Sequence, residues 1–247
     1  MQTNPIRDRW LQGKAVINGW VGLDSPFVAE LLAHLPFDSM TIDMQHGVVD
    51  YQMAVSMLRG ISVADIGALV RVPWNEPGVI MKILDAGAFG IICPMINSRA
   101  EAEAFVGACL YPPLGYRSHG PRRAPIVIGE EYAIQANDFV LPIAMIETAQ
   151  AVDNLDEILS VPGLGGVYVG PADLSRSYGY PPRLDVTDPF LVEKQDLILA
   201  RAQKHGIPAG IHVGASAYAK EMIDRGWLLT TLSSDGGFLT TAARAAL

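Results

Sequence analysis

Cysteine, charge and long apolar runs are all scarce in this sequence, and each scarcity excludes a class of protein. The two cysteines, Cys93 and Cys109, have neither metal-binding nor redox spacing, which favours reduced thiols in a cytoplasmic protein. Charged residues make up 18% of the chain and the net charge is −8, which argues against a nucleic-acid partner, because a phosphate-binding face needs clustered Lys and Arg. No stretch reaches the roughly 18 uncharged apolar residues of a membrane span, and the N-terminus lacks the apolar segment of a secretory signal. We therefore expect neither a membrane nor a nucleic acid as partner.

The apolar half of the chain is grouped into eight short runs, most of them separated by amphipathic segments. Continuous apolar runs indicate strands covered on both faces, as in a parallel sheet. Eight strands alternating with helices predict an α/β protein with a (β/α)8 (TIM) barrel, and a barrel of this length forms a single domain over residues 1–247. The runs are residues 15–23, 39–45, 67–74, 90–95, 139–148, 165–170, 207–213 and 228–234.

The longest irregular stretch, residues 111–138, lies between the fourth and fifth predicted strands. A loop of that length is usually functional or part of an oligomer interface. We expect one of these two roles for it.

Catalytic groups of such a barrel lie at the C-terminal ends of its strands. Glu147 ends the fifth predicted strand and Asp173 follows the sixth, so both carboxylates face one mouth. Two carboxylates suit a hard cation that keeps most of its coordination for water and substrate, as Mg²⁺ does. Arg71, near the end of the third strand, adds a clamp for a substrate carboxylate or a developing enolate.

Each of these side chains also has a structural interpretation. Asp173 precedes a helical segment and is a candidate cap for it. An arginine buried in a strand needs a partner, which Asp43 or Glu147 would supply to Arg71 without any role in chemistry. For three further polar residues, a structural role is the simpler interpretation: His46, His212 and Asp85.

Several motifs occur together in the order of a known family. They are "TIDMQHG", "VRVPWNEPGVIMKILDAGAFGIICPM", "YPPLGYR", "IETAQAVDNLDEIL" and "GVYVGPADLSRSYGY". With them the chain resembles the HpcH/HpaI aldolases, class II metal-dependent pyruvate aldolases that act on 4-hydroxy-2-oxo acids. The match runs from about residue 15 to residue 180, and the last third of the chain fits more loosely.

The resemblance implies an aldehyde-lyase whose barrel exchanges its last helix with a neighbouring subunit, commonly in a homohexamer. It implies that Glu147 and Asp173 hold a divalent cation, Mg²⁺, Mn²⁺ or Co²⁺. Arg71 would contact the 2-oxo group and stabilise the enolate. The backbone of Ala172 and the start of its loop would hold the substrate carboxylate, and Trp20 would line the pocket.

The same resemblance makes His46 the acid–base group, with Asp43 and Asp85 near it to orient or charge the imidazole. Its unperturbed pKa near neutrality suits that role, although water on the metal is an alternative base. No lysine lies at a predicted strand end, which disfavours a Schiff-base aldolase. The expected substrates are an oxo acid and an aldehyde.

Two positions depart from the family pattern. Met145 stands where the family often has a glutamine that contacts substrate, and Gln45 stands where an acidic residue commonly precedes the histidine. Both changes bear on which keto acid or aldehyde is accepted, so a hydroxylated donor such as hydroxypyruvate is conceivable. Two alternatives stay open: a metal–enolate enzyme with another partner, similar to citrate synthase or acyl-CoA lyases, and a barrel that binds an oxo acid without turnover.

Overall fold

The computed structural model describes residues 3–247. Its eight strands are parallel and close into one barrel in chain order, with the last strand paired to the first. The predicted (β/α)8 barrel is thereby confirmed. The strands are β1 (Val16–Val21), β2 (Ser39–Asp43), β3 (Gly67–Arg71), β4 (Gly90–Cys93), β5 (Leu141–Met145), β6 (Gly166–Val169), β7 (Ala209–Val213) and β8 (Leu229–Leu232).

The helices lie in sequence between these strands and beyond them. They are α1 (Pro5–Leu11), α2 (Pro26–Ala33), α3 (Tyr51–Ile61), α4 (Pro77–Asp85), α5 (Arg99–Cys109), α6 (Ala124–Ile128), α7 (Tyr132–Phe139), α8 (Ala149–Asp153), α9 (Leu155–Leu159), α10 (Pro171–Ser177), α11 (Pro189–Lys204), α12 (Ser216–Arg225) and α13 (Asp235–Ala246). Among residues 3–247, none of these helices has the length and apolar character needed to cross a bilayer.

Two apolar layers hold the barrel together. The larger packs the outward faces of the strands against the surrounding helices. The smaller fills the barrel interior, where alternate strand residues point inward, and α1 closes its N-terminal end. Asn4, which caps α1, donates to the carbonyls of Phe89 and Phe139 just before β4 and β5. The closed end leaves the C-terminal ends of the strands as the open mouth.

The stretch 111–138 is more ordered than the sequence suggested, because it contains α6 and begins α7. Tyr132, Ala136 and Phe139 form a buried stripe at helical spacing along α7. Arg117, 1% exposed, anchors the segment by donating to the Tyr132 hydroxyl at 2.9 Å and to Asp85 at 2.7 Å. The density of Gly and Pro just before residue 124 conceals this short helical pattern in the sequence.

Candidate active site

A cavity of about 170 Å³ lies at the mouth of the barrel. It gathers side chains from the C-terminal ends of β3, β5, β6 and β7 and from loops at the same end of the barrel. The structure thus brings together six of the residues that were given a functional role from the sequence: His46, Arg71, Met145, Glu147, Ala172 and Asp173. The remaining lining residues are Tyr168, Gly170, Pro171, Leu184 and His212.

Glu147 lies two residues beyond β5 and is 1% exposed. Its Oε1 accepts a hydrogen bond from the backbone N–H of Met95 at 2.8 Å, whereas its Oε2 is buried without a partner. Burial raises the pKa of Glu147 to about 7; the Met95 N–H opposes that rise, and the charge of Asp173 adds to it. A buried carboxylate oxygen without a donor is costly unless a cation neutralises it.

Asp173 lies in the first turn of α10 and faces the same cavity. The residue at the capping position of this helix is Gly170, and no side-chain cap forms, so Asp173 does not serve as the N-cap. Within residues 3–247, no group of three or more His, Cys, Asp or Glu side chains is arranged to hold a metal. Two carboxylates fit a cation such as Mg²⁺, which takes few protein ligands and keeps several waters.

Arg71 forms a bidentate ion pair with Asp43. Its Nε donates to Oδ1 at 2.8 Å and one terminal nitrogen donates to Oδ2 at 2.6 Å. The guanidinium also lies 4.8 Å from the ring centroid of Trp20, whose Nε1 donates to Asp43 at 3.3 Å. Burial alone would raise the pKa of Asp43, but the hydrogen bonds and charge of Arg71 outweigh it and lower that pKa. Arg71 is therefore a fixed cation that is paired and also faces the cavity.

His46 faces the cavity, and its position follows from that of Asp43. The backbone N–H groups of Gln45 and His46 both donate to Oδ1 of Asp43, at 3.0 and 3.3 Å. Asp43 therefore contacts the backbone of His46 and binds Arg71 with its two oxygens. Trp20 lies behind Arg71 and is 4% exposed.

The structure does not bring Asp85 to this cavity within one chain. Asp85 ends α4, which runs from the mouth towards the N-terminal ends of the strands. Its carboxylate pairs with Arg117 at 2.7 Å. The pair holds the 111–138 segment against α4.

Tyr168 and Leu184 were not singled out in the sequence, and His212 was given only a structural interpretation. Tyr168 and His212 share the inward-facing positions of β6 and β7, so the alternation within each strand was the available signal. Leu184 belongs to the segment between α10 and α11, where no periodicity marks it. That segment is held because Asp185 accepts hydrogen bonds from the N–H groups of Gly214 and Ala215, at 2.7 and 2.9 Å.

His212 is held as a neutral ring. Burial and the nearby charge of Arg71 lower its pKa to about 4. Its Nε2 lies 3.1 Å from the carbonyl oxygen of Ser233, which only accepts, so that nitrogen carries the proton. The imidazole contacts the Trp20 ring edge-on, with 4.9 Å between the centroids. His212 thus has a structural role in the cavity wall.

Comparisons with known proteins agree on one family. Residues 17–242 match the family described as HpcH/HpaI aldolase/citrate lyase. A hydroxypyruvate/pyruvate aldolase of Rhizorhabdus wittichii is 40% identical over 241 residues, covering 98% of this chain and 96% of its own. A 4-hydroxy-2-oxo-heptane-1,7-dioate aldolase of Salmonella paratyphi B is 33% identical, with 98% and 92% covered. The crystal structure of a HpcH/HpaI aldolase/citrate lyase family protein from Burkholderia cenocepacia superposes with a TM-score of 0.92 at 32% identity, covering 99% and 98%.

Proposed function

The chain belongs to the HpcH/HpaI aldolase/citrate lyase family, and we propose that it is a divalent-metal-dependent aldolase that cleaves a 4-hydroxy-2-oxo acid into pyruvate, or hydroxypyruvate, and an aldehyde. The observation that carries this proposal is the unequal hydrogen bonding of the two carboxylate oxygens of Glu147. One of its oxygens is satisfied by a backbone N–H, and the other is buried, without a donor, beside Asp173 and Arg71.

Glu147 and Asp173 would hold the cation, which is Mg²⁺, Mn²⁺ or Co²⁺. When bound, such a cation supplies Lewis-acid stabilisation of the charge that develops on the 2-oxo oxygen. Arg71 contributes a second positive charge to that oxygen. Since its guanidinium is already fixed by Asp43 and Trp20, little reorganisation is needed when the charge appears.

His46 acts as the base in this proposal. In the cleavage direction it accepts the proton of the C4 hydroxyl, the C3–C4 bond breaks, and its electrons form the enolate as the aldehyde leaves. A proton then returns to C3 and the free oxo acid departs. Water at the cation remains the alternative base. Asp43 fixes the backbone of His46. Asp85 is engaged by Arg117 and has no part in the proposed step.

The donor pocket is proposed to accept a hydroxylated oxo acid as well as pyruvate. Met145 occupies the position of a family glutamine, and His212 and Tyr168 add polar groups to the wall. The likeness to a hydroxypyruvate/pyruvate aldolase supports this extension. The backbone at Ala172, in the first turn of α10, would hold the substrate carboxylate.

We also propose a cytoplasmic homo-oligomer, a hexamer by family resemblance, in which α13 packs on a neighbouring subunit. Within the chain, Asp235 is the one buried residue of that helix, and residues 239–247 are all exposed. An apolar helix end that a single chain leaves uncovered suits such an exchange.

The test is release of pyruvate from 4-hydroxy-2-oxoheptanedioate by metal-stripped protein, with and without added Mg²⁺ or Mn²⁺. We expect release only with the cation, and loss of it in Arg71→Ala and Asp173→Ala. Asp224→Ala is the matched control, because that carboxylate pairs with Lys220 on the surface.

Exchange of the pyruvate methyl protons with D₂O separates the remaining outcomes. Exchange without cleavage would assign the enolate machinery to a different electrophile. Neither reaction, in protein that binds pyruvate, would favour a binding protein without turnover.

A further inference from the structure

The loop between β4 and α5 reaches across to the proposed metal ligand. Met95, in this loop, adopts a φ of 56°, and its N–H donates to Oε1 of Glu147. A side chain other than glycine in this left-handed region is strained, and it persists only where the surroundings impose it. Something must therefore hold the Met95 backbone in place.

Asn97 donates a hydrogen bond to the backbone of Met95 and so supports this conformation. Its Nδ2 donates to the Met95 carbonyl at 2.9 Å. The backbone of Met95 is thus held at its carbonyl by Asn97, while its N–H donates to Glu147. Its Oδ1 accepts from the hydroxyl of Thr148, the residue that follows Glu147. The side chain of Asn97 thus links the loop that supplies the N–H to the loop that carries the carboxylate.

The backbone of Asn97 is fixed as well. Its N–H donates to Glu101 at 2.7 Å, and its carbonyl accepts from Asn154 at 2.7 Å. All four polar groups of Asn97 are therefore engaged, and a residue with that many partners has little freedom to rotate.

The consequence concerns the two oxygens of Glu147. The Met95 N–H takes one of the acceptor positions of Oε1, whereas Oε2 has no partner and faces Gly170, where a Cβ would lie 2.5 Å from it. Oε2 is therefore the oxygen with the greater capacity to bind a cation.

We propose that Asn97 is a positioning residue that presets Glu147 to bind the cation through Oε2. This rests on the proposed function, in which Glu147 holds a divalent cation. Asn97 acts through Met95 and Thr148 and does not touch the cation. A purely structural role, joining two loops, would lower the stability without changing the affinity for metal.

The experiment measures Mn²⁺ binding directly, from the electron paramagnetic resonance signal of free Mn²⁺, with a melting temperature for each metal-free protein. The variants are Asn97→Ala, Thr148→Val and Thr148→Ser. Asn75→Ala is the matched control, because its amide donates to the backbone of Glu101 on the same α5 but does not reach Met95. No activity measurement is required.

We expect Asn97→Ala and Thr148→Val to weaken Mn²⁺ binding by about 10-fold or more, the range found for groups that orient a ligand. Thr148→Ser, which keeps the hydroxyl, and Asn75→Ala are expected to bind as the unaltered protein does. Unchanged affinity in Asn97→Ala, or equal losses in Thr148→Ser and Thr148→Val, would overturn the positioning role while leaving the proposed function intact. If the unaltered protein itself fails to bind Mn²⁺, the proposed function fails, and the inference falls with it.

Discussion

At the scale of single residues, the site is defined by what each polar atom already contacts. Asp43 has both oxygens engaged by Arg71, and Glu147 has one of its two engaged by Met95. The difference between these carboxylates decides their roles. A carboxylate whose two oxygens both accept hydrogen bonds positions its neighbours. A carboxylate with one buried oxygen that accepts none can bind a ligand there.

Glu147→Gln tests this distinction at one atom. The glutamine carbonyl would take the Met95 N–H, and its NH₂ group would then replace the free oxygen. Because an amide N–H cannot ligate a cation, we expect Mn²⁺ affinity to fall by more than about 100-fold, beyond what orienting groups give. The metal-free variant should melt no lower than the original, since it buries no charge beside Asp173. Binding within 10-fold of the original, by titration calorimetry, would contradict the assignment of Oε2 as the ligand.

His212 makes the stability of the protein dependent on pH. Its pKa is lowered from 6.5 to about 4 in the folded chain, so between these values the unfolded state binds more protons. The contribution of His212 is present above pH 6.5 and is lost as the pH falls towards 4. We expect the free energy of unfolding of His212→Gln, from urea denaturation, to depend less steeply on pH in this window. The difference in slope is at most about 1.4 kcal/mol per pH unit. Parallel curves for the two proteins would contradict a ring held neutral in the cavity wall.

At the scale of elements, the junction between β6 and α10 lies against Glu147 and leads into the helix that carries Asp173. Gly170 lies between β6 and α10, and its lack of a side chain leaves space for Glu147 and Met145. The helix then directs Asp173 into the cavity from its first turn. Strand, glycine and helix together build one side of the site.

Gly170→Ala is expected to damage this junction. The added Cβ would lie 2.5 Å from Oε2 of Glu147 and 3.0 Å from Cε of Met145, so the carboxylate must move. We expect a loss of Mn²⁺ binding of about 10-fold or more, since the displaced oxygen is the proposed ligand. Gly120→Ala, where a Cβ meets nothing within 4 Å, is the control. Equal binding by both variants would show that the carboxylate tolerates displacement.

At the scale of the whole molecule, the barrel is closed at one end and open at the other. α1 covers the N-terminal end, and the site occupies the mouth. The helix least covered by the rest of the chain is α13, where Leu239 is 64% exposed. We propose that a neighbouring subunit covers it.

Leu239→Glu tests the exchange of α13. A charge at a buried apolar contact between subunits is costly, so we expect the variant to dissociate, with a lower mass by light scattering than the hexamer expected for the unaltered chain. Thr241→Glu adds the same charge two residues further along, on another face of the helix, and should assemble normally. A monomeric unaltered protein would contradict the predicted assembly, and an intact Leu239→Glu hexamer would place the contact elsewhere.

The amino-acid sequence determined the barrel by itself, because continuous apolar runs and amphipathic helices are local patterns that repeat eight times. It also singled out Glu147, Asp173, Arg71 and His46, since polar residues that follow buried strands stand out from their surroundings. The structure gathers these four around one cavity. Strand-end position is enough to place them, because parallel strands bring their C-terminal ends to one mouth.

Tertiary structure alone decided which polar atoms within that cavity already have hydrogen-bond partners. The left-handed backbone of Met95 and its link to Asn97 depend on contacts between loops about 50 residues apart, between Met95 and Glu147, and no local pattern encodes them. Leu184 reached the cavity for the same reason, through the hold of Asp185 on the loop after β7. Periodicity reports which face of an element is buried, but a hydrogen bond between distant loops exists only once the barrel has closed.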